Sequence, residues 1–422
     1  MKKKVLPLLM SAVLVASSFM GCSKADNSSE TTANTTTNTT TEAASGSSTA
    51  STGASDSDTI KVGVLFSSSG STSTLEDVCA NVVQMKVDEV NAEGGINGKQ
   101  IEIVREDYNS DPTVAVEKIK KLILQDGVVA TIGTYASASR NSVKPVVEDN
   151  DSLLFYPTSY EGENPSDNIV YMGAVSQQQW EYFIPWLKEK YGDKMFFVYT
   201  DTTGAKLMTE QAADVCTEVG GQVVGEEAVP AGQTDFSTII TKIKDADPDV
   251  IVSGLWSDSE TAMYKQFQNY GMSMKDTPVC GVQADENVFK AAGSVAEGAI
   301  LCASYENTLE NDANTAWKKA YYEKYDDSYE LTALSESTYI GTCYLIEALK
   351  NIDDGDYSTE NILEAMKNVT MDAPEGEIEY NPETHHFNMS YKIGIVNSEG
   401  ALDIVDTSDL IVQDPKSSDT AQ

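Results

Sequence analysis

The sequence predicts an α/β protein of two doubly wound lobes, each a parallel sheet with helices on both faces. Three observations carry that expectation. Short β-branched runs alternate with longer helical patterns. The alternation pauses near residue 170 and restarts near residue 195. The loops that follow the runs are rich in Ser, Thr, Tyr and Asp. Alternation of this kind favours parallel strands joined by crossover helices, and a folded stretch of this length fits two domains.

In chain order, Lys2, Lys3 and Lys4 precede an apolar stretch over 5–20 that is short for a membrane span and runs into Gly21-Cys22. A charged start, an apolar middle and a small-residue cleavage zone mark 1–21 as an export signal. A small residue directly before a cysteine at that place resembles the bacterial lipobox, which implies cleavage before Cys22 and acylation of its thiol. Residues 22–59 contain no aromatic and no large aliphatic side chain. Such a segment buries too little apolar surface to offset the entropy of ordering it, so a disordered tether with a reach of roughly 30–36 Å is expected. Residues 415–422 read as a disordered tail.

The first lobe opens with a β-branched run over 60–66, ending at Ser67-Ser68-Ser69-Gly70, and a helical pattern over 75–91. Strands are expected over 101–105, 128–132 and 152–156, with helices over 113–125 and 138–148 between them. The second series has strands over 195–199, 222–227, 250–253 and 278–281, and helices over 205–219, 238–246, 259–270 and 286–292. Helices dominate 314–367, before strands over 377–380 and 391–397.

Composition excludes several functions. The chain has 29 Lys and Arg against 66 Asp and Glu, a formal net charge of −37. Phosphate backbones need clustered cations, so no nucleic-acid partner is expected, and the acidity suits solubility at a cell surface. Beyond Cys22, five cysteines remain: Cys79, Cys216, Cys280, Cys302 and Cys343. Their odd number and wide spacing form no disulfide framework, although one bridge stays open, and most sit among apolar neighbours as small core residues. His385 and His386 are the only histidines, which removes three-His zinc sites and most His-based triads. Neither a phosphate-binding loop nor a Gly-x-Ser-x-Gly elbow occurs. No enzyme, no metal and no cofactor are expected.

In open parallel sheets, ligands sit outside the carboxyl ends of the strands. The loops there carry Ser67 to Ser73, then Tyr135, Ser137 and Ser139, then Tyr156, Pro157, Thr158, Ser159 and Tyr160. The second series adds Thr200 to Thr203, then Trp256, Ser257 and Asp258, then Gln283, Asp285 and Glu286, and finally Tyr305. One Ser at a helix start is as often an N-cap as a ligand contact. The repetition of hydroxyls and aromatics at successive strand ends points to a collective site for a small polar solute.

Three stretches, Gly133-Thr134-Tyr135-Ala136-Ser137-Ala138-Ser139-Arg140, Leu153 to Gly162 and Asn168-Ile169-Val170-Tyr171, resemble the urea- and short-amide-binding branch of the type I periplasmic binding proteins of ABC transporters. The Tyr156-Pro157-Thr158-Ser159-Tyr160-Glu161-Gly162 block is the most specific. Asp372-Ala373-Pro374-Glu375-Gly376 and Thr384-His385-His386 through Lys392-Ile393-Gly394 are similar to the same branch. The resemblance implies a three-segment hinge with crossings near Val175, Tyr305 and Glu375. That places 60–175 plus 305–374 in one lobe and 176–304 plus 375–414 in the other, with ABC permease subunits as partners. Family contacts fall on Tyr135, Ser137, Tyr156, Thr158, Asp258, Gln283 and Tyr305, to which the strand-end loops add Tyr160, Trp256 and Asp285.

One departure bears on the ligand. The amide-binding relatives carry two tyrosines where this chain has Thr202-Thr203-Gly204. The pocket is therefore expected to be roomier than theirs, with urea or a related amide as the first expectation and a branched-chain or other amino acid as the alternative. No membrane span follows Cys22, which favours a carrier over a receptor fused to its own output. A surface amide sensor of the same fold has the same sequence features.

Overall fold

The computed structural model describes residues 59–325, 328–353 and 355–413, the side chain of Ser257 excepted. The export signal, Cys22, nearly all of the tether and the tail lie outside the described residues.

Lobe 1 is built on β1 (Thr59–Leu65), β2 (Gln100–Glu106), β3 (Ala130–Gly133), β4 (Leu154–Tyr156) and β5 (Ile169–Tyr171), all parallel and ordered β2-β1-β3-β4-β5. Both faces are covered, which explains the unbroken apolar runs. Val62, Val64 and Phe66 pack into one core with Val83 and Val87 of α1 (Ser73–Ala92), whereas Leu65 faces the other with Ile119 of α2 (Pro112–Lys121) and Val143 of α3 (Ser137–Asp149). Each fully buried side chain of this kind contributes roughly 1.5–3 kcal/mol. Asp111 starts α2 by accepting from Thr113 N at 2.7 Å, with Pro112 preset at the first helical position.

Lobe 2 repeats the topology with β6 (Lys194–Thr200), β7 (Gln222–Val229), β8 (Val250–Gly254), β9 (Val279–Gly281) and β10 (Ile300–Ala303), ordered β7-β6-β8-β9-β10. Its helices are α4 (Ser176–Tyr191), α5 (Thr203–Glu218), α6 (Ser237–Ala246), α7 (Ser257–Phe267) and α8 (Glu286–Ala292). The chain then returns to lobe 1 through α9 (Asp312–Lys324), α10 (Ala333–Lys350) and α11 (Thr359–Met366), with α10 packed on α1.

The first two crossings lie at Val175, between β5 and α4, and at Tyr305, between β10 and α9. The third does not lie near Glu375. Strands β11 (Ile378–Asn381) and β12 (His386–Met389) form an antiparallel hairpin, and His386 of β12 pairs with Tyr171 of β5, so the chain stays in the lobe 1 sheet until Met389. It crosses at Ser390 and Tyr391 into β13 (Lys392–Val396), antiparallel to β10, and β14 (Leu402–Thr407) follows at the sheet edge. Periodicity identified a strand at 377–380 but not which sheet edge it would join. A fourth segment reinforces the hinge: Ile411 bridges back to Met389, and Gln413 Oε1 accepts from Val175 N and from the Tyr391 hydroxyl, both at 2.8 Å. Cys79, Cys216, Cys280, Cys302 and Cys343 are free and buried.

Candidate functional site: a cleft between the lobes

The carboxyl ends of both sheets face one cleft, which holds two adjoining cavities sharing Tyr135, Thr158, Ser159 and Gln283. The first, about 90 Å³, reaches toward the hinge between Leu75, Pro157, Val282, Leu301 and Leu334, with Asp285 and Glu286 on its lobe 2 side. The second, about 280 Å³, is enclosed by residues 135–138 of lobe 1 and by 202–205, Met208 and Trp256 of lobe 2.

Local backbone geometry builds the lobe 1 wall. Gly133 ends β3 at φ +151°, and a Cβ there would sit 2.2 Å from Leu65 O, so only glycine lets the chain turn tightly over β1. Thr134 follows at φ +52°, and the turn delivers Tyr135 and then Ser137 at the first position of α3. Tyr135 is held at both backbone ends: its N–H donates to the Tyr108 hydroxyl at 3.1 Å and its carbonyl accepts from the Tyr156 hydroxyl at 2.9 Å. Burial pushes the Tyr135 phenol above its ordinary range, with a smaller push from Asp285.

Behind that wall lies a fully buried ion pair. Arg140 donates from Nη1 to Glu161 Oε2 at 3.0 Å and from Nη2 to Oε1 at 2.6 Å. Its guanidinium lies 5.1 Å from the Tyr156 ring centroid and 4.7 Å from that of Tyr160. Ser137 Oγ sits 3.1 Å from Glu161 Oε2.

The lobe 2 wall is made largely of helix starts. Neither Thr202, before α5, nor Trp256, before α7, makes a side-chain cap bond, and the same is true of Ala136 before α3. Three helix N-termini from two lobes thus border the second cavity with their first N–H groups free of side-chain caps, an arrangement that favours negative charge. Thr202 Oγ1 is buried there without a hydrogen-bond partner, and Thr158 Oγ1 lies beside the Tyr156 hydroxyl. Asp285, by contrast, caps α8, accepting from Asn287 N at 2.9 Å and Val288 N at 3.1 Å. Burial raises its carboxyl against those bonds, and burial pushes Glu286 up to about 8.

Of the ten residues expected at the ligand, the structure brings Tyr135, Ser137, Thr158, Trp256, Gln283, Asp285 and Tyr305 to the cavity walls. The Tyr305 hydroxyl is turned away, donating to Asn314 Oδ1 at 2.8 Å. Tyr156 and Tyr160 do not line either cavity. Tyr156 braces Tyr135, and Tyr160 stacks on Tyr171 at 4.3 Å with its hydroxyl on Glu163 O. Asp258 is exposed in the first turn of α7 and lines neither cavity. Sequence reasoning missed Thr332, Leu334 and Ser337 at the start of α10, which close the first cavity. The Thr332 and Ser335 capping box marked that helix start in the sequence, but nothing there brings it to the cleft. Among the described residues no cluster of His, Cys, Asp and Glu is arranged to hold a metal ion.

Two like-wound lobes facing a polar cleft give the chain the type I periplasmic binding protein fold. The chain belongs to the periplasmic binding protein domain family, which it matches over residues 60–421. It is similar to the leucine-, isoleucine-, valine-, threonine- and alanine-binding protein of Pseudomonas aeruginosa, 26% identical over 80% of this chain and 90% of that one. Among solved structures it resembles a solute-binding protein of an ABC transporter from Rhodopseudomonas palustris in complex with 3,4-dihydroxybenzoic acid, with TM-score 0.77 and 21% identity over 85% of this chain and 100% of that one. It also resembles a branched-chain amino-acid transporter substrate-binding protein from Streptococcus pneumoniae in complex with isoleucine, with TM-score 0.71 and 23% identity over 82% of this chain and 99% of that one.

Proposed function

We propose that the chain is the solute-receiving component of an ABC importer, held to the outer face of a bacterial membrane through lipid on Cys22, and that its solute is a small amino acid. The observation that carries the ligand reading is the set of three uncapped helix N-termini around the second cavity, joined by the unpartnered Thr202 hydroxyl. A carboxylate fits that environment, and the apolar residues of the first cavity suit a short side chain. Family membership and the names of the relatives support the transport role.

A urea or short-amide solute is the second reading. The resemblance of 156–162 to the amide-binding branch favours it, and Tyr156 and Glu161 of that block brace Tyr135 and Ser137.

Calorimetric titration of the full chain with amino acids, urea and short amides tests the choice. Tight binding of an amino acid, weakened by Thr202→Val, is expected. Heat from urea or acetamide alone would transfer the reading to amides. For the anchor, Cys22→Ser is expected to release the protein to the medium or leave it unprocessed. Full processing with unchanged membrane retention would contradict lipid attachment.

A further inference from the structure

Four charged side chains meet at the hinge, behind the inner end of the first cavity, and none of them lines the cleft. Glu306 stands at the second crossing, Lys392 opens β13 just past the third, and Glu336 of α10 and Glu375 belong to lobe 1. All four are at most 3% exposed. Lys392 Nζ donates to Ser390 Oγ at 3.0 Å and to Ser390 O at 3.2 Å, and its charge acts on all three carboxyl groups. Glu336 Oε1 accepts from Glu375 N at 3.2 Å, whereas Glu336 Oε2, Glu375 Oε1 and both oxygens of Glu306 have no hydrogen-bond partner among the described residues. A Cβ on Gly394 would sit 2.5 Å from Glu306 Oε2, so glycine in β13 is what lets that carboxyl lie against the strand.

One lysine balances one carboxylate. With every group ionised the cluster would hold two uncompensated negative charges out of water, which low dielectric strongly opposes. The neutral cluster holds about two protons more than the fully ionised one, and a proton passed from Lys392 to the remaining carboxylate leaves that total unchanged. In keeping with this, burial pushes Glu306 up to about 8 and raises Glu336 and Glu375, while it lowers Lys392. The other titratable groups facing the cluster, Glu286 of α8, Cys302 of β10, Tyr305, Tyr339 of α10 and Tyr391, bring no positive charge.

Only one layer of residues separates the cluster from the cleft. Ser304, Tyr305 and Ser337 line the first cavity, Glu306 and Glu336 are their chain neighbours, and the Ser304 hydroxyl bonds Glu375 across the lobes. Parting the lobes moves Glu336 and Glu375 away from Glu306 and Lys392 and admits water, in which the carboxyls ionise. We infer that closure of the cleft is proton-linked: closing dries the cluster of Glu306, Glu336, Glu375 and Lys392, which takes up protons, so that rising pH opens the lobes and releases the solute. This rests on reading the cleft as the site that closes on a solute. For Glu306 the sign is direct: a carboxyl near 8 when closed and near 4.5 when hydrated favours closure fully below the lower value, and the effect is lost as pH rises through the upper one.

The test is calorimetric titration of the full chain with L-alanine, L-leucine and urea at pH 7, in phosphate and in Tris, whose different ionisation heats count the protons exchanged. Net uptake of at least about one proton per solute bound is expected, with affinity on the order of 10-fold weaker at pH 8 than at pH 6. Glu306→Gln, which mimics the protonated carboxyl, should lower the uptake by about one proton and bring the affinity at pH 8 toward its value at pH 6; Glu375→Gln is the parallel variant should the first not fold. No proton uptake by wild type, or uptake unchanged in these variants, overturns the inference and leaves the cleft as the solute site. Heat from none of the probes counts against the solute reading instead, and small-angle scattering of the solute-free chain then decides the inference. A radius of gyration larger at pH 8.5 than at pH 5.5 in wild type, but not in Glu306→Gln, supports it, and a radius independent of pH overturns it.

Discussion

The two walls of the cleft are made differently. The lobe 1 wall is braced from behind: Tyr108 and Tyr156 hold the backbone of Tyr135, and the buried Arg140 and Glu161 pair holds Ser137. The lobe 2 wall is held mainly through backbone: its helix starts at Thr202 and Trp256 lack side-chain caps, with Trp256 N on the buried Thr200 hydroxyl at 3.0 Å, and burial opposes the ionisation of its carboxyl groups. The contrast indicates a division of work. Lobe 1 presents a preorganised set of polar groups, while lobe 2 supplies free N–H donors that are fully used only when a solute and the opposing lobe meet them.

The largest expected effect comes from breaking the brace. Arg140→Met removes one partner of a completely buried pair and leaves the Glu161 carboxylate uncompensated, which should cost about 3–5 kcal/mol of stability. Asp285→Asn, an α8 cap on the lobe 2 wall, should cost about 1 kcal/mol or less, because asparagine caps nearly as well. Urea denaturation of the two variants side by side checks the contrast, and equal losses would remove it.

A pH titration sharpens the comparison. Burial pushes Glu260 of α7, Glu286 of α8 and Glu306 at the second crossing up to about 8 from an ordinary 4.5. All three belong to lobe 2 or to the hinge, and burial also raises Glu76, Glu336 and Glu375 in lobe 1. The folded protein therefore holds protons between about 4.5 and 8 that the unfolded chain releases. This contribution is complete below the lower value and is lost as pH rises through the upper one. The Tm should fall by about 5 °C or more between pH 5.5 and 8.5, and a flat profile would show these carboxyls to be hydrated.

A smaller effect is expected where the walls approach. A Cβ on Gly204, at the start of α5, would sit 2.8 Å from Ser137 Oγ. Gly204→Ala should hold the lobes slightly apart and weaken solute binding by roughly 10-fold, with stability changed by less than about 0.5 kcal/mol. Titration of the variant with the solute that wild type binds measures this. Smaller still, Gln211→Ala removes the bond to the Glu161 carbonyl and the contact with Ser176, and should cost about 1 kcal/mol.

The two lobes were legible because a doubly wound sheet needs β-branched runs at regular intervals, and β1 to β4 and β6 to β9 supply them, whereas the short β5 and β10, the last parallel strands of each sheet, were not read as strands. The third crossing was not, because four-residue strands such as β11 and β12 carry no sign of the edge they will join. At the site, residues on loops directly after strands, such as Tyr135, Thr158 and Gln283, reached the cavities as strand order requires. Tyr156 and Tyr160 sit in an equally suggestive motif, yet their side chains are buried behind the wall; a motif marks a structured place without saying which side chains face inward. The same limit hid Thr332 and Ser337, which belong to a helix remote in sequence from every strand end used for the search. The departure at Thr202-Thr203-Gly204 was visible from the start, and its consequence is closeness as well as room, since Gly204 is where α5 comes against Ser137.

The central claim is that one solute is held by a preformed wall in lobe 1 and an assembling wall in lobe 2. Hydrogen–deuterium exchange of the full chain, with and without a saturating amino acid that binds in calorimetry, addresses it most directly. Protection is predicted on both walls, slight over 135–139 and 156–161, where Tyr108, Tyr156 and the Arg140 and Glu161 pair already fix the chain, and large over 202–206 and 256–260. Protection confined to one lobe, or larger in lobe 1 than in lobe 2, would contradict the account.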